Sequence, residues 1–238
     1  MRSVALQRGV AVEHLIVGAG IDAAEWDIWT AMLAERFQTT RFVNLPALAE
    51  DTVYPPARTA PLRNIGVELA RGRWIAHLDD DNEFEADHLM TLVATLQAQP
   101  SAGVAHSWRN LFHVDGSPFI VRDRNPWLDD DQRARESYKE LLRAGVFSLG
   151  SNVMRDRPVG PFGEEYFLVD SSELLVDRVL QLRIPFRTRF TADEQARRLA
   201  EDRAFCIDLY AAGHEIVPSR RATLRYYMGG YSNAREAR

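Results

Sequence analysis

The stretch from Arg63 to Asn82, R-N-I-G-V-E-L-A-R-G-R-W-I-A-H-L-D-D-D-N, constrains this chain more than any other. It predicts a helix stopped at Gly72, an apolar strand over residues 73–78, and three carboxylates, Asp79, Asp80 and Asp81, where that strand ends. Adjacent ionised carboxylates repel one another, so they require solvent, basic partners or a hard cation. In an open α/β sheet, ligands bind beyond the carboxyl ends of the strands. The order helix, strand, acidic cluster therefore points to a metal-assisted site for an anionic ligand.

The same reasoning extends along the chain. Residues 13–17 and 41–45 read as short buried strands around a helix over 21–37. Residues 54–58 contain Pro-Pro and read as loop, with Thr59 as N-cap of the next helix and Pro61 in its first turn. A helix over 86–99 follows the acidic cluster, and 104–109 is extended. Asp115-Gly116 is a strong turn signal between 111–114 and 118–121. Beyond it the pattern predicts a helix over 132–144, a strand edge at 150–154 and a turn-rich stretch at 159–163. Helices are expected over 171–182 and 192–212 on either side of Pro185, then short strands at 214–217 and 222–227. Alternating strands and helices in the first hundred residues imply an α/β sandwich with a mostly parallel sheet.

Composition narrows the function. The chain has 238 residues, 46% hydrophobic and 26% charged, the profile of one soluble domain. A net charge of −5 argues against a generic nucleic-acid binder, which usually carries a basic surplus. The single cysteine, Cys206, excludes an internal disulfide and a cysteine-based zinc cluster, and its apolar surroundings favour a buried thiol. No apolar run reaches the length of a spanning helix and the N-terminus lacks a signal-peptide pattern, so the expected location is cytoplasmic, with peripheral contact to a membrane-bound acceptor left open.

The Arg63–Asn82 stretch resembles the nucleotide-sugar-binding region of family 2 glycosyltransferases, which have the GT-A fold. Arg63, Asn64 and Gly66 match the family's Arg-Asn-x-Gly helix, and Ala70 and Gly72 its turn. Trp74 to Leu78 match the strand, and Asp79 and Asp81 the Asp-x-Asp. Asn82 stands where many relatives carry a further Asp. The resemblance implies a single GT-A-type, Rossmann-like domain over 1–238. Residues 1–110 would form the nucleotide-sugar half, 111–228 the acceptor side and 229–238 a mobile tail. It also implies that the family's first strand, expected between those carrying Ile16 and Ile75, lies upstream of Met1, roughly 25–30 residues for one strand–helix unit.

The implied activity is transfer of a sugar from a nucleotide-sugar donor to a hydroxyl acceptor, with inversion. The implied cofactor is a divalent cation, Mn²⁺ or Mg²⁺, neutralising the departing diphosphate. Asp81 and Asp79 would meet the metal; Arg63, Asn64, Asp79 and Asp80 would line the nucleotide site. Without that context, D-D-D reads as a solvated turn and Arg63-Asn64 as a solvated helix face; Asn64 also has the reading of holding loop geometry. Glu201-Asp202 resembles the family's Glu-Asp helix, with Asp202 as the preferred base and Asp170 its competitor. The plain alternative is an acid pair bridged to Arg197, Arg198 or Arg203.

His77, on an apolar strand, reads as a core residue, and no histidine follows His214 to serve as a late metal ligand. Tyr226, Tyr227 and Ser232 lie in the matching region as candidates for phosphate contact, with packing an equal alternative for the tyrosines. Trp108 and Trp127 are candidates for stacking on an acceptor sugar, though packing is the commoner role. Two rival functions remain at this level: an inactive nucleotide-sugar-binding or scaffold protein, and a nucleotidyltransferase. The latter normally carries a Gly-rich basic loop after its first strand, which is not seen here.

Overall fold

The computed structural model describes residues 1–37, 39–46, 54–158 and 169–230. Its elements begin with α1 (Arg2–Ala5), β1 (His14–Ala19), α2 (Ala23–Ala34), β2 (Thr40–Leu45) and α3 (Pro55–Leu69). Next come β3 (Trp74–Ala76), β4 (Glu83–Phe84), α4 (His88–Ala98), β5 (Val104–Phe112), α5 (Asp131–Arg143) and β6 (Val153–Met154). A 3-10 turn at Ser171–Glu173 leads into β7 (Leu174–Asp177), α6 (Arg178–Arg183), α7 (Ala192–Ala196), α8 (Glu201–Ala211) and β8 (Ile216–Tyr227).

The strands make two sheets. β1 and β2 pair in parallel, His14 opposite Thr40. The larger sheet runs β3-β7-β5-β8-β4, with β6 added to β5. Parallel pairing supplies the two longest ladders, β1–β2 and β5–β8, while β3–β7, β5–β7, β4–β8 and β5–β6 are short antiparallel pairs. The α/β architecture is thus the expected one, with a mixed sheet. The strands carrying Ile16 and Ile75, β1 and β3, belong to different sheets.

Strand alternation divides the apolar residues between two cores, because successive side chains leave opposite faces. Ala105 and Leu175 join Leu92, Leu96, Leu111, Tyr138 and Met154 on one face of the large sheet. Val104, Leu174 and Val176 join Ala60, Phe186, Phe205 and Leu209 on the other. Helices α4 and α5 cover the first face, α3, α6 and α8 the second, which makes a three-layer sandwich. At roughly 25 cal/mol per Å² of apolar surface removed from water, these two faces carry most of the driving force for folding. All residues of β1 and β2 are only half-buried.

Several boundaries differ from expectation, each for a local reason. Helix α3 starts at Pro55, with Pro55 and Pro56 in its first two positions, where a missing N–H costs nothing. Thr59 therefore lies inside the helix and its hydroxyl donates to the Pro56 carbonyl. The predicted helix over 171–182 holds only in its second half, as α6: residues 171–173 are the 3-10 turn, and Leu174, Leu175 and Val176 are buried strand between β3 and β5. The predicted helix over 192–212 is two helices, broken where Arg198 takes φ 55°, a left-handed value no helix continues through. The two terminal strands are one, β8, bent by register shifts opposite His106–Arg109. The Asp115-Gly116 turn is present, with Gly116 at φ 84°, but its second arm contributes one bridge, Phe112 to Pro118. The 159–163 stretch and the tail from 231 lie outside the described residues. Among the described residues no helix is long and apolar enough to cross a membrane.

Candidate active site

The end of β3, the start of α8, the middle of α3 and the 3-10 turn at Ser171 converge, and most of the predicted site residues lie there. Arg63 points from α3 and its Nη2 donates to Asp79 Oδ1 at 2.6 Å. The same nitrogen lies 3.6 Å from Glu201 Oε1, and the guanidinium covers the Phe186 ring at 5.6 Å. Buried Arg63 Nε has no protein partner. Glu201 also accepts a hydrogen bond from Thr59 Oγ1 at 3.0 Å, so it ties α8 to α3. Ser172 Oγ accepts a hydrogen bond from the Asp79 backbone N–H at 3.3 Å, fixing the start of the acidic turn.

The three aspartates occupy different settings. Burial pushes the Asp79 carboxyl up to about 6; Arg63 pulls it back, while Asp170 and Glu201 push with it. Asp80 and Asp81 are exposed. Asp81 is also raised, by partial burial first and then by Asp80 and Asp170. Its Oδ2 lies against Gly230, where an added Cβ would stand only 2.6 Å away. Asn82, the departure from the family pattern, is buried; its Oδ1 accepts the Tyr227 N–H at 3.1 Å and pins the acidic turn to β8.

Asn64 does not face this cluster. Its Nδ2 donates to the Phe186 carbonyl and its Oδ1 accepts the Phe186 N–H, both at 2.9 Å. Both ends of the amide are engaged with the Phe186 backbone, the arrangement of the alternative weighed for it, holding loop geometry. His77 is a buried core residue as expected, held neutral by burial at about 3, edge-on to Phe186 and 2.6 Å from Gln181 Nε2. Burial likewise pushes the Cys206 thiol up, the behaviour of a structural cysteine.

Asp202 is the most perturbed carboxyl for which a value is resolved. Burial pushes it up to about 8, with the charges of Glu201 and Asp170 adding to the rise. It accepts the Arg203 N–H at 2.6 Å. Arg197 and Arg198 pair with Asp193 and Asp129 instead. Asp170 lies nearby, capping the 3-10 turn with its Oδ1 accepting the Ser172 N–H at 2.9 Å.

A group of residues that sequence patterns did not reveal lies beneath the cleft. The Arg109 guanidinium, on β5, makes a two-pronged bond to Asp156 at 3.1 and 3.0 Å. It reaches Asp170 at 3.4 Å and stands 3.9 Å from Glu173, all in the interior. Its flanks are covered by Trp127 and Tyr226, with ring centroids 5.0 and 4.8 Å away. Apart from Asp170 and Glu173, which share a capping box, these residues come from separated parts of the chain.

The donor set suits a small hard cation delivered with phosphate. Asp79 is committed to Arg63, Asp81 is accessible, and among the described residues no group of three or more His, Cys, Asp or Glu side chains gathers to hold a metal. Mg²⁺-like ions are commonly held by one or two carboxylates plus substrate phosphates rather than by a protein cage. The residues present fit that mode, in which the accessible Asp81 would be the carboxylate that holds the ion.

Residues 59–155 match the family model described as glycosyl transferase family 2. The match begins in α3, spans the acidic turn and reaches Arg155, next to the buried Asp156. Among solved structures, S. aureus TarS 1-349 in complex with UDP superposes at a TM-score of 0.54 with 14% identity, covering 95% of this chain and 55% of that one. S. aureus TarS 1-349 gives 0.52 and 14%, covering 96% and 55%. The likeness shows the fold, of GT-A type. The chain spans about half the length of these solved relatives.

Proposed function

We propose that this protein transfers a sugar from a nucleotide-sugar donor to a hydroxyl acceptor, inverting the anomeric carbon. The observation that carries the reading is the convergence of Arg63, Asp79, Asp81 and Asp202 at the carboxyl end of β3, inside and beside the family 2 stretch. Arg63 and the acidic turn bind the nucleotide, with Asp80 at the rim. A bound Mn²⁺ or Mg²⁺, held through Asp81, would neutralise charge on the diphosphate. Asp79 orients Arg63 and is the second carboxylate near the diphosphate.

In the reaction, the anomeric C–O bond to the diphosphate breaks and its electron pair leaves with the phosphate. The acceptor oxygen forms the new bond from the opposite face, and its proton passes to the Asp202 carboxylate. A carboxyl poised near 8 is a stronger base than an ordinary aspartate, at the cost of being mostly protonated at neutral pH. Glu201, held by Arg63 and Thr59, keeps α8 in register with α3 and so aims Asp202.

The test is a thermal shift with Mn²⁺ and UDP, GDP or dTDP, comparing wild type with Asp81→Ala. UDP is tried first because TarS 1-349 is described in complex with it. A metal-dependent rise for one nucleotide, lost in the variant, supports the donor site and names the base. A retained nucleotide shift with no transfer to any acceptor would replace this reading with the inactive nucleotide-sugar binder. Release of pyrophosphate from a nucleoside triphosphate would favour a nucleotidyltransferase instead.

A further inference from the structure

Helix α2 stands on the small sheet by a narrow seam. Trp26 lies against Gly18 of β1 and edge-on to Phe42 of β2, with ring centroids 6.4 Å apart. Thr30, Leu33 and Phe37 continue that seam, each half-buried. None of the 12 residues of α2 is fully buried. Away from the seam the helix holds large apolar side chains in the open: Ile28 is 69% exposed, Met32 58% and Trp29 51%. The helical turn persists past Ala34, since the Phe37 N–H donates to the Leu33 carbonyl at 2.8 Å. Residues three and four apart on a helix share a face. Glu25, Ile28, Trp29, Met32 and Arg36, all exposed, therefore form one outward stripe. An amphipathic surface helix turns polar residues to water, whereas α2 turns out isoleucine, tryptophan and methionine. A contiguous exposed apolar patch rimmed by charge marks an interaction surface.

The order of charges along the stripe selects the occupant. A carboxylate lies one turn before the apolar centre and a guanidinium one turn after it. Glu25 and Arg36 are centred on the same point of the helix as Trp29 and Met32. A second copy related by a two-fold axis through that point runs antiparallel. It sets Glu25 against the partner's Arg36 twice and Trp29 against the partner's Met32 twice, and a thioether on an indole is a favourable contact. A parallel pair would set like charges together at both ends. An anionic lipid surface is disfavoured, because residues 22–36 carry Asp22, Glu25, Asp27 and Glu35 against the single cation Arg36.

We propose that the outward stripe of α2 is a self-association surface: two copies of this chain pair antiparallel through Ile28, Trp29 and Met32, with a Glu25–Arg36 ion pair closing each end. This is independent of the sugar-transfer reading. The stripe spans about 16 Å from Glu25 to Arg36, on a helix about 10 Å across. Such a face buries well under the ~800 Å² per partner of a standard interface, so the pair is weak and exchanges with monomer.

Sedimentation velocity of the full chain from about 5 to 500 μM tests this, a range chosen for a dissociation constant of about 10⁻⁵ to 10⁻⁴ M. The wild type is expected to pass from monomer to dimer across it; a monomer at every concentration overturns the proposal. Met32→Glu, at an exposed position, should keep the chain monomeric with an unchanged Tm, and an undiminished dimer would place the contact on another surface and overturn it. Glu25→Arg and Arg36→Glu should each weaken association by about 3- to 10-fold, since each creates two like-charge contacts. Combining the two substitutions should restore the wild-type level. A combined variant no better than either single one overturns the antiparallel pairing. Flotation of the wild type with phosphatidylserine vesicles, lost in Met32→Glu and without dimer in solution, would assign the stripe to a membrane and overturn the proposal.

Discussion

At Asp202 three effects act on one carboxyl in the same direction: burial, the adjacent Glu201 and the charge of Asp170. Burial of a charge is the largest because the charged form loses its hydration. The consequence for catalysis is that kcat/KM should rise with pH up to about 8, since the free enzyme carries the base in its protonated form below that value. A pH profile flat between 6 and 9 would remove Asp202 from that role. Asp202→Asn should lower kcat by about 10²- to 10⁴-fold while leaving the nucleotide-induced thermal shift intact. Asp202 was legible in the sequence only through the family's Glu-Asp pair. Its unusual proton affinity was not, because that depends on Asp170, thirty-odd positions away in the chain.

Among the elements, α3 does the most to assemble the site. Arg63 reaches the acidic turn, Thr59 and Arg63 hold α8 through Glu201, and Asn64 clamps Phe186 by both its backbone groups. Phe186 in turn lies under Arg63 and stacks on Phe205 of α8 at 4.4 Å. Asn64→Ala therefore leaves a buried N–H and C=O without partners. It should destabilise the fold by about 2–4 kcal/mol, taking ~1–3 for each group with partial rehydration. Urea unfolding measures this, and nucleotide affinity measured at low denaturant should fall far less than for Arg63→Ala. Equal loss in both variants would return Asn64 to the ligand site. The R-N-x-G pattern put both residues on one helix; which faced the ligand and which faced the loop depended on the packing of residue 186.

For the molecule as a whole, the buried charges decide how stability responds to pH. Asp79, Asp156, Glu173 and Asp202 are raised in the folded state. The folded chain thus holds more protons than the unfolded one. Their contribution is fully present below the unfolded aspartate value of about 4 and is lost as pH rises through 6 to 8. The buried histidines His77, His88 and His106 are lowered to about 3 or 4, so their contribution is present above the unfolded value and lost as pH falls. Above about pH 7.5, where unfolded histidine is neutral, the raised carboxyls set the slope, and Tm should fall between about pH 7.5 and 8.5. Asp202→Asn should reduce that fall, and an unchanged slope would contradict the burial argument. Removing the cation at the centre, Arg109→Met, should cost about 3–5 kcal/mol by denaturant unfolding, because it strands Asp156 and Asp170.

The chain's own order of residues determined the helix–strand–acid segment and the α/β layering, and it singled out Arg63, Asp79 and Asp81 as candidates, because periodicity and spacing act over a few neighbouring positions. It also misplaced β7 as helix, since a short apolar run buried on both faces has no period to read. Only the tertiary structure decided that Asp79 is committed to Arg63, that Asn82 is a clamp, and that Arg109 reaches Asp170. Those outcomes depend on ion pairs and burial between residues far apart in sequence, and a carboxyl's proton affinity is set by what the fold brings beside it.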